Sequence, residues 1–278
     1  MSSVASYLSP TRAPSDLLRA KPTTAVVRIS FSASLMSPLI RSRSMVLATC
    51  LGLTMLVQSG CARASRSATP AAAFLSATEV KDGWRSMVSL DNWRGYQSQA
   101  VPEGWSANDS ILTKTGVGND IVTRKTYTDF ELAFDWMLNE GGNSGVFYRA
   151  TEEYEKIYWS APEYALLDDA RHPDGRNVIT SAGAAHSLYA SPRGVVRAAG
   201  QWNSTRILVR GTHVEHWLNG TMTASYDYGT PDFLERVAKG KFGKWPNFAK
   251  TSSGLIGIQG DHRGQLAIRH LRIREFAK

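Results

Sequence analysis

Residues 129–138 read DFELAFDWML, and the spacing within them decides the fold class. Phe130, Leu132, Phe134, Trp136 and Leu138 fall on one side, and Glu131, Ala133, Asp135 and Met137 on the other. Side chains alternate across a strand, so a period of two predicts a half-buried β-strand. An amphipathic helix would repeat every three or four residues.

The same alternation extends towards the C-terminus. Residues 205–210 alternate, Gly211-Thr212 supplies a turn, and 214–219 alternate again, which predicts a β-hairpin. Residues 255–259 and 266–276 close the chain as strands. In the last, the apolar phase slips from Leu266 and Ile268 to Leu271 and Ile273, so a bulge is expected near Arg269-His270. One short helix is expected over 232–239, with Pro231 near its first turn and Gly240 after it. Many strands joined by Gly, Asn and Asp turns, with almost no helix, predict an all-β sandwich or jelly roll.

The N-terminal part has a different grammar. Residues 36–61 read MSPLIRSRSMVLATCLGLTMLVQSGC: Arg41 and Arg43 precede an apolar run over 45–57, then Ser59-Gly60 and Cys61. This is the pattern of a signal peptide over 36–60, with Met36 the better start for it than Met1. Ser-Gly-Cys after the apolar run is similar to a bacterial lipobox, in which the cysteine is lipidated. The expectation is an exported lipoprotein, periplasmic or outer-membrane-anchored through Cys61. Residues 1–61 form its leader, 62–73 a flexible tether and 74–278 the folded domain. A simply cleaved signal is the alternative.

Residues 1–61 also hold six of the 32 Lys/Arg and one of the 24 Asp/Glu, leaving 26 and 23 in the later chain. A residual charge of that size gives no support to nucleic-acid binding. The two cysteines, Cys50 and Cys61, both lie in the leader, so the domain has neither an internal disulfide nor a cysteine nucleophile. No G-x-S-x-G elbow, phosphate-binding loop, H-E-x-x-H or dinucleotide fingerprint occurs.

Four segments place polar residues in strand contexts that do not require them. In 141–149, GGNSGVFYR, alternation puts Gly145, Phe147 and Arg149 on one face, joining a guanidinium to an aromatic platform. In 162–169, PEYALLDD, Glu163 sits in an apolar strand, where an unpaired carboxylate is costly. Arg149 is its expected partner, although a structural Arg paired elsewhere fits the sequence equally well. Residues 200–204 (GQWNS) and 213–220 (HVEHWLNG) supply Trp202, Asn203 and His216, the last sharing a face with Val214 and Leu218. Residues 257–264, GIQGDHRG, form a polar loop with Gln259 and with His262 beside Asp261. A lone strand histidine is more often structural than catalytic, and an acidic pair such as Asp168-Asp169 is more often a solvated turn than a cation site.

Taken together and in order, these segments resemble the 3-keto-disaccharide hydrolase family over about 74–276, with Ala165 where the family usually has Gln. The resemblance implies a concanavalin/laminin-G-like jelly-roll β-sandwich and an activity on glycosides oxidised at C3. Glu163, His216 and Arg149 are then the candidate catalytic residues. Asn143, Tyr148, Asp168, Trp202, Asn203, Gln259 and His262 are the candidate sugar-binding ones. A C3 ketone acidifies the C2 proton, so a base, a proton donor and an enolate stabiliser suffice. Glu163 or His216 fits the base and Arg149 the stabiliser, a role a divalent cation also fits. No cofactor is otherwise implied. The competing readings are a non-catalytic carbohydrate-binding module and an ordinary glycosidase using Glu163 and Asp168.

Overall fold

A computed structural model of the chain describes residues 74–108 and 110–277. The leader, Cys61 and the tether over 62–73 lie outside the described residues. Thirteen strands form almost all of the regular structure. They are β1 (Arg85–Ser86), β2 (Trp93–Gly95), β3 (Trp105–Asn108), β4 (Ile111–Lys114), β5 (Ile121–Thr123), β6 (Phe130–Leu138) and β7 (Asn143–Ala150). The remainder are β8 (Glu163–Leu167), β9 (Asn203–Arg210), β10 (His213–Leu218), β11 (Thr221–Asp227), β12 (Leu255–Ile258) and β13 (Leu266–Glu275). Two short helices, α1 (Ala77–Lys81) and α2 (Pro231–Lys239), join them.

The strands make two antiparallel sheets, so the chain is a jelly-roll-type β-sandwich. One sheet has eight strands in the order β11-β10-β9-β6-β13-β4-β3, with β1 alongside β13; the other has five, β2-β5-β12-β7-β8. The decisive stretch is the central strand β6, flanked by β9 and β13. Its Phe130, Leu132, Phe134, Trp136 and Leu138 are buried against Val146, Tyr148, Tyr164 and Leu166 of the five-stranded sheet. Polar side chains tie the layers: Thr205 Oγ1 lies 2.9 Å from Trp136 Nε1, which donates to it, and 2.8 Å from the Tyr164 hydroxyl. Glu131, on the other face of β6, is nevertheless 4% exposed. Arg206 and Arg274 cover its carboxylate, donating at 3.1 and 2.7 Å.

The phase slip in the last strand is a bulge. Arg269 pairs with Asp135 but Arg272 with Ala133, and His270 takes a φ of 54°. A second bulge, in β7, breaks the alternation assumed from the sequence. Phe147 pairs with Gly257 but Ala150 with Leu255, and Arg149 takes a φ of 56°. Phe147 and Ala150 therefore share one face, with Val122, Leu255, Ile157 and Ala161, on the outside of the five-stranded sheet. Arg149 is turned away from Phe147 and from the face expected of it.

Helix α2 starts where Thr230 Oγ1 accepts from Phe233 N and Pro231 takes the first turn. Its Phe233 ring stacks on Tyr226 of β11 at 5.7 Å and 7°. That contact fixes the position of the segment which follows the helix.

Candidate active site

The apolar cluster of Phe147, Ile157 and Ala161 covers only part of the outer face of the five-stranded sheet. The rest of that face is the floor of a cavity of about 260 Å³. Strands β7 and β8 bring Asn143 and Glu163 to it, and Gln259 directly follows β12; the surrounding turns and loops add Tyr158, Asp174, His186, Lys241, Asp261 and His262. The floor is held by backbone: Gln259 N donates to Gly145 O at 2.9 Å, and Ser144 Oγ donates to Gln259 O at 2.9 Å.

Glu163 lies across Gly145. A Cβ at position 145 would fall 2.3 Å from Glu163 Oε1, so only glycine leaves room for the carboxyl group. Glu163 is 7% exposed. Burial pushes its pKa up to about 8; the Lys241 ammonium opposes the shift, while Asp120, Asp261 and Asp174 add to it. No hydrogen bond to its carboxyl group occurs among the described residues. The group therefore exchanges its proton near neutral pH, as a general acid or base must.

The walls are fixed by contacts that the loops make with buried polar groups. His186 N donates to Glu163 O at 2.9 Å, which ties the backbone of His186, another lining residue, to β8. Burial lowers the His186 pKa to about 4, so the ring is neutral at physiological pH. The 260–264 loop is anchored twice: Asp120 Oδ1 accepts from Gly260 N at 2.8 Å, and the buried Lys114 Nζ donates to His262 O at 2.5 Å. Burial also lowers the His262 pKa, the Asp261 carboxylate opposing it, with its Oδ1 3.7 Å from His262 Nε2. Trp159 follows the lining residue Tyr158 and stacks at 5.1 Å and 18° on Trp245, which lines a separate cavity beside Arg149.

The matching family model spans residues 83–274 and is described as the 3-keto-alpha-glucoside-1,2-lyase-like domain. The chain belongs to this family. It is 30% identical over 218 residues to the 3-keto-disaccharide hydrolase of Bacteroides thetaiotaomicron, covering 67% of this chain and 75% of that one. A Parabacteroides distasonis structure described as a candidate glycosyl hydrolase superposes with a TM-score of 0.68 at 28% identity, over 73% of this chain and 98% of that chain. A second from the same organism gives 0.56 at 25%, over 69% and 99%.

In this lyase-like domain, the cavity gathers four of the residues singled out from the sequence: Asn143, Glu163, Gln259 and His262. The others lie elsewhere. His216 is fully buried between the sheets. One of its ring nitrogens lies 2.7 Å from the Tyr148 hydroxyl, the other 3.2 Å from Gly183 O, and burial lowers its pKa to about 3. The alternation along β10 was read correctly, but the face it shares with Val214 and Leu218 points at the opposite sheet. Besides Tyr148, the His216 ring packs on Tyr164, the neighbour of Glu163 on the other side of β8. Tyr148 is likewise a core residue, 2.6 Å from the Tyr226 hydroxyl.

Arg149 does not pair with Glu163. It donates to Gly211 O at 2.7 Å and Thr128 O at 3.0 Å, and lies 3.5 Å from Asp129, closing one end of the sandwich. Asp168 accepts from Gly141 N and Ala170 N, and so caps the end of β8. Asn203 is buried, its Oδ1 accepting from Arg197 N and Asn219 Nδ2. Trp202 lies under the Arg269 guanidinium, 4.2 Å from the ring centre, beside the eight-stranded sheet. Among the described residues, no three His, Cys, Asp or Glu side chains are arranged to hold a metal ion.

Four lining residues escaped the sequence reading: Tyr158, Asp174, His186 and Lys241. Tyr158 and Asp174 sit in single 3-10 turns and the other two in loops, where no periodicity marks a side chain's direction. The one legible signal was Lys241 between a helix-ending Gly240 and an apolar Phe242.

Proposed function

We propose that this domain cleaves glycosides oxidised at C3, by removing the C2 proton, expelling the C1 substituent and adding water. The family membership and the name of the Bacteroides relative support a carbohydrate-active, hydrolase-type protein. The finer reading rests on one observation: among the three carboxyl groups lining the cavity, Glu163 is the buried one, with no hydrogen bond among the described residues and a pKa raised to about 8.

Proton abstraction beside a ketone requires one base of that strength. A conventional glycosidase divides its work between two carboxyl groups in distinct roles. Here Asp168, the second carboxylate considered for that chemistry, is committed to the backbone. In the proposed reaction Glu163 takes the C2 proton and the electron pair enters an enolate at C2, C3 and O3. The enolate collapses to the C1=C2 enone as the C1–O bond breaks and the departing oxygen takes a proton from solvent; water then adds across C1=C2, its hydroxyl to C1 and a proton to C2. The small cavity matches a single pyranose ring, so the oxidised sugar is read alone.

The test is incubation with a 3-keto-glucoside beside its unoxidised parent, in heavy water. Cleavage of the keto sugar alone, with deuterium at C2 of the product, is the expected result. Retention of the C2 hydrogen would exclude elimination. Binding without turnover would make the domain a carbohydrate-binding module. We also propose export and lipidation at Cys61. Mass spectrometry of the membrane-associated protein should find a lipidated Cys61 at its N-terminus, and an intact Met1 start in the cytosol would refute this.

A further inference from the structure

We infer that Lys241 is the enolate-stabilising residue of the Glu163 cavity, its ammonium donating to the C3 oxygen of the substrate. This rests on the proposed reaction and adds the electrophile that the reaction lacks once Arg149 is found elsewhere.

The first support is charge. Lys241 is the one Lys or Arg among the lining residues, facing the carboxyl groups of Glu163, Asp174 and Asp261. The two lining histidines are held neutral by burial and offer no permanent positive charge. Among the described residues, no carboxylate pairs with the Lys241 ammonium, so its donors are available to a ligand. It also acts electrically on Glu163, being the largest influence that opposes the effect of burial there.

The second support is placement. Helix α2 ends at Lys239, and Gly240 N donates to Arg236 O at 2.9 Å to close it. Phe242 is 1% exposed and stacks on Phe248 at 4.2 Å and 11°. Lys241 is therefore pinned between a capped helix and a buried ring; its stem is exposed, while partial burial of the ammonium lowers its pKa and the Glu163 and Asp174 carboxyls oppose that. A chance surface lysine has no such clamp on both sides.

The chemistry calls for a cation at this point. As the C2–H bond breaks, its electron pair moves into C2–C3 and negative charge gathers on O3, while the proton goes to Glu163. A preorganised donor aimed at O3 stabilises that charge in the transition state more than it stabilises the ketone. The charge returns from O3 as the C1–O bond breaks, so the lysine keeps its proton throughout.

The deciding experiment uses a 3-keto sugar with no leaving group at C1, 1,5-anhydro-3-keto-glucitol, in heavy water. Loss of its C2 proton signal, followed by nuclear magnetic resonance, reads enolisation separately from cleavage. The wild-type protein should catalyse the exchange. Lys241→Met should slow it by about a hundredfold to a thousandfold, the usual cost of one lost oxyanion donor. Lys241→Arg should restore part of the rate. The pH at which exchange reaches half its maximum should move upward in Lys241→Met, because the ammonium no longer favours the Glu163 carboxylate; a merely structural lysine would leave that midpoint in place. Exchange at the wild-type rate in Lys241→Met, with none in Glu163→Gln, would overturn the role of Lys241 while leaving the proposed reaction standing. No exchange by the wild-type protein would overturn both.

Discussion

Replacing Glu163 by Gln should change the pH dependence of folding, and the size of the change follows from the burial of the carboxyl group. In the unfolded chain Glu163 titrates near the ordinary value of 4.5, and in the folded protein near 8. Below pH 4.5 both states hold the proton, and ionisation costs the fold nothing. Between 4.5 and 8 the unfolded chain releases a proton that the folded chain keeps, so stability falls as pH rises. Each pH unit in that interval costs about 1.4 kcal/mol, which amounts to on the order of 4 kcal/mol between pH 5 and pH 8. Above pH 8 the cost is constant. Glu163→Gln keeps the shape of the protonated side chain and cannot ionise, so the cost disappears. Urea unfolding of both proteins at pH 5, 6, 7, 8 and 9 measures the effect. The stability of the variant relative to wild type should climb with pH and level off above 8. Any fixed penalty of a buried amide cancels in that comparison, as does the titration of Asp120, which both proteins share. Parallel stability curves, separated by a constant amount at every pH, would refute the reasoning and remove the physical basis for Glu163 as a base.

Three further predictions concern neighbouring features. Gly145→Ala places a methyl group 2.3 Å from Glu163 Oε1, which must move by about 1 Å. Turnover of a 3-keto-glycoside should drop about a hundredfold, the cost of such a misplacement, with the melting temperature changed by only a few degrees; activity within threefold of wild type would show that Glu163 need not sit over Gly145. The pH profile of kcat/KM should rise with pH and reach its plateau above about 8, because the base must be unprotonated, and a plateau already complete at pH 6 would move that role elsewhere. Arg149→Met should lower stability in urea by about 3 kcal/mol, because the Gly211 and Thr128 carbonyls lose their donor and Asp129 its cation, while kcat of the folded fraction stays unchanged.

How far the sequence reaches can be seen residue by residue. Alternation along 129–138 determined a central strand with Trp136 inward and Asp135 outward, because a strand's two faces follow from its covalent geometry alone. The phase slip at Arg269-His270, the 205–219 hairpin and the helix after Pro231 were legible for the same local reason. The identity of the family was legible too, since it rests on ordered motifs. The site was legible only in part. Asn143, Glu163 and Gln259 could be placed on strands, but alternation does not tell whether a polar face meets solvent or the opposite sheet. That choice depends on how two sheets stack, a contact between residues distant in sequence, and it sent His216 into the core and Glu163 into the cavity. At Arg149 even the local rule failed, because a single left-handed residue in the β7 bulge reverses every side chain beyond it. Lys241 and His186 were beyond the sequence for the simplest reason. They ride on loops, and a loop's side chains point where the packing of its neighbours puts them, here a capped α2, a buried Phe242 and the backbone oxygen of Glu163.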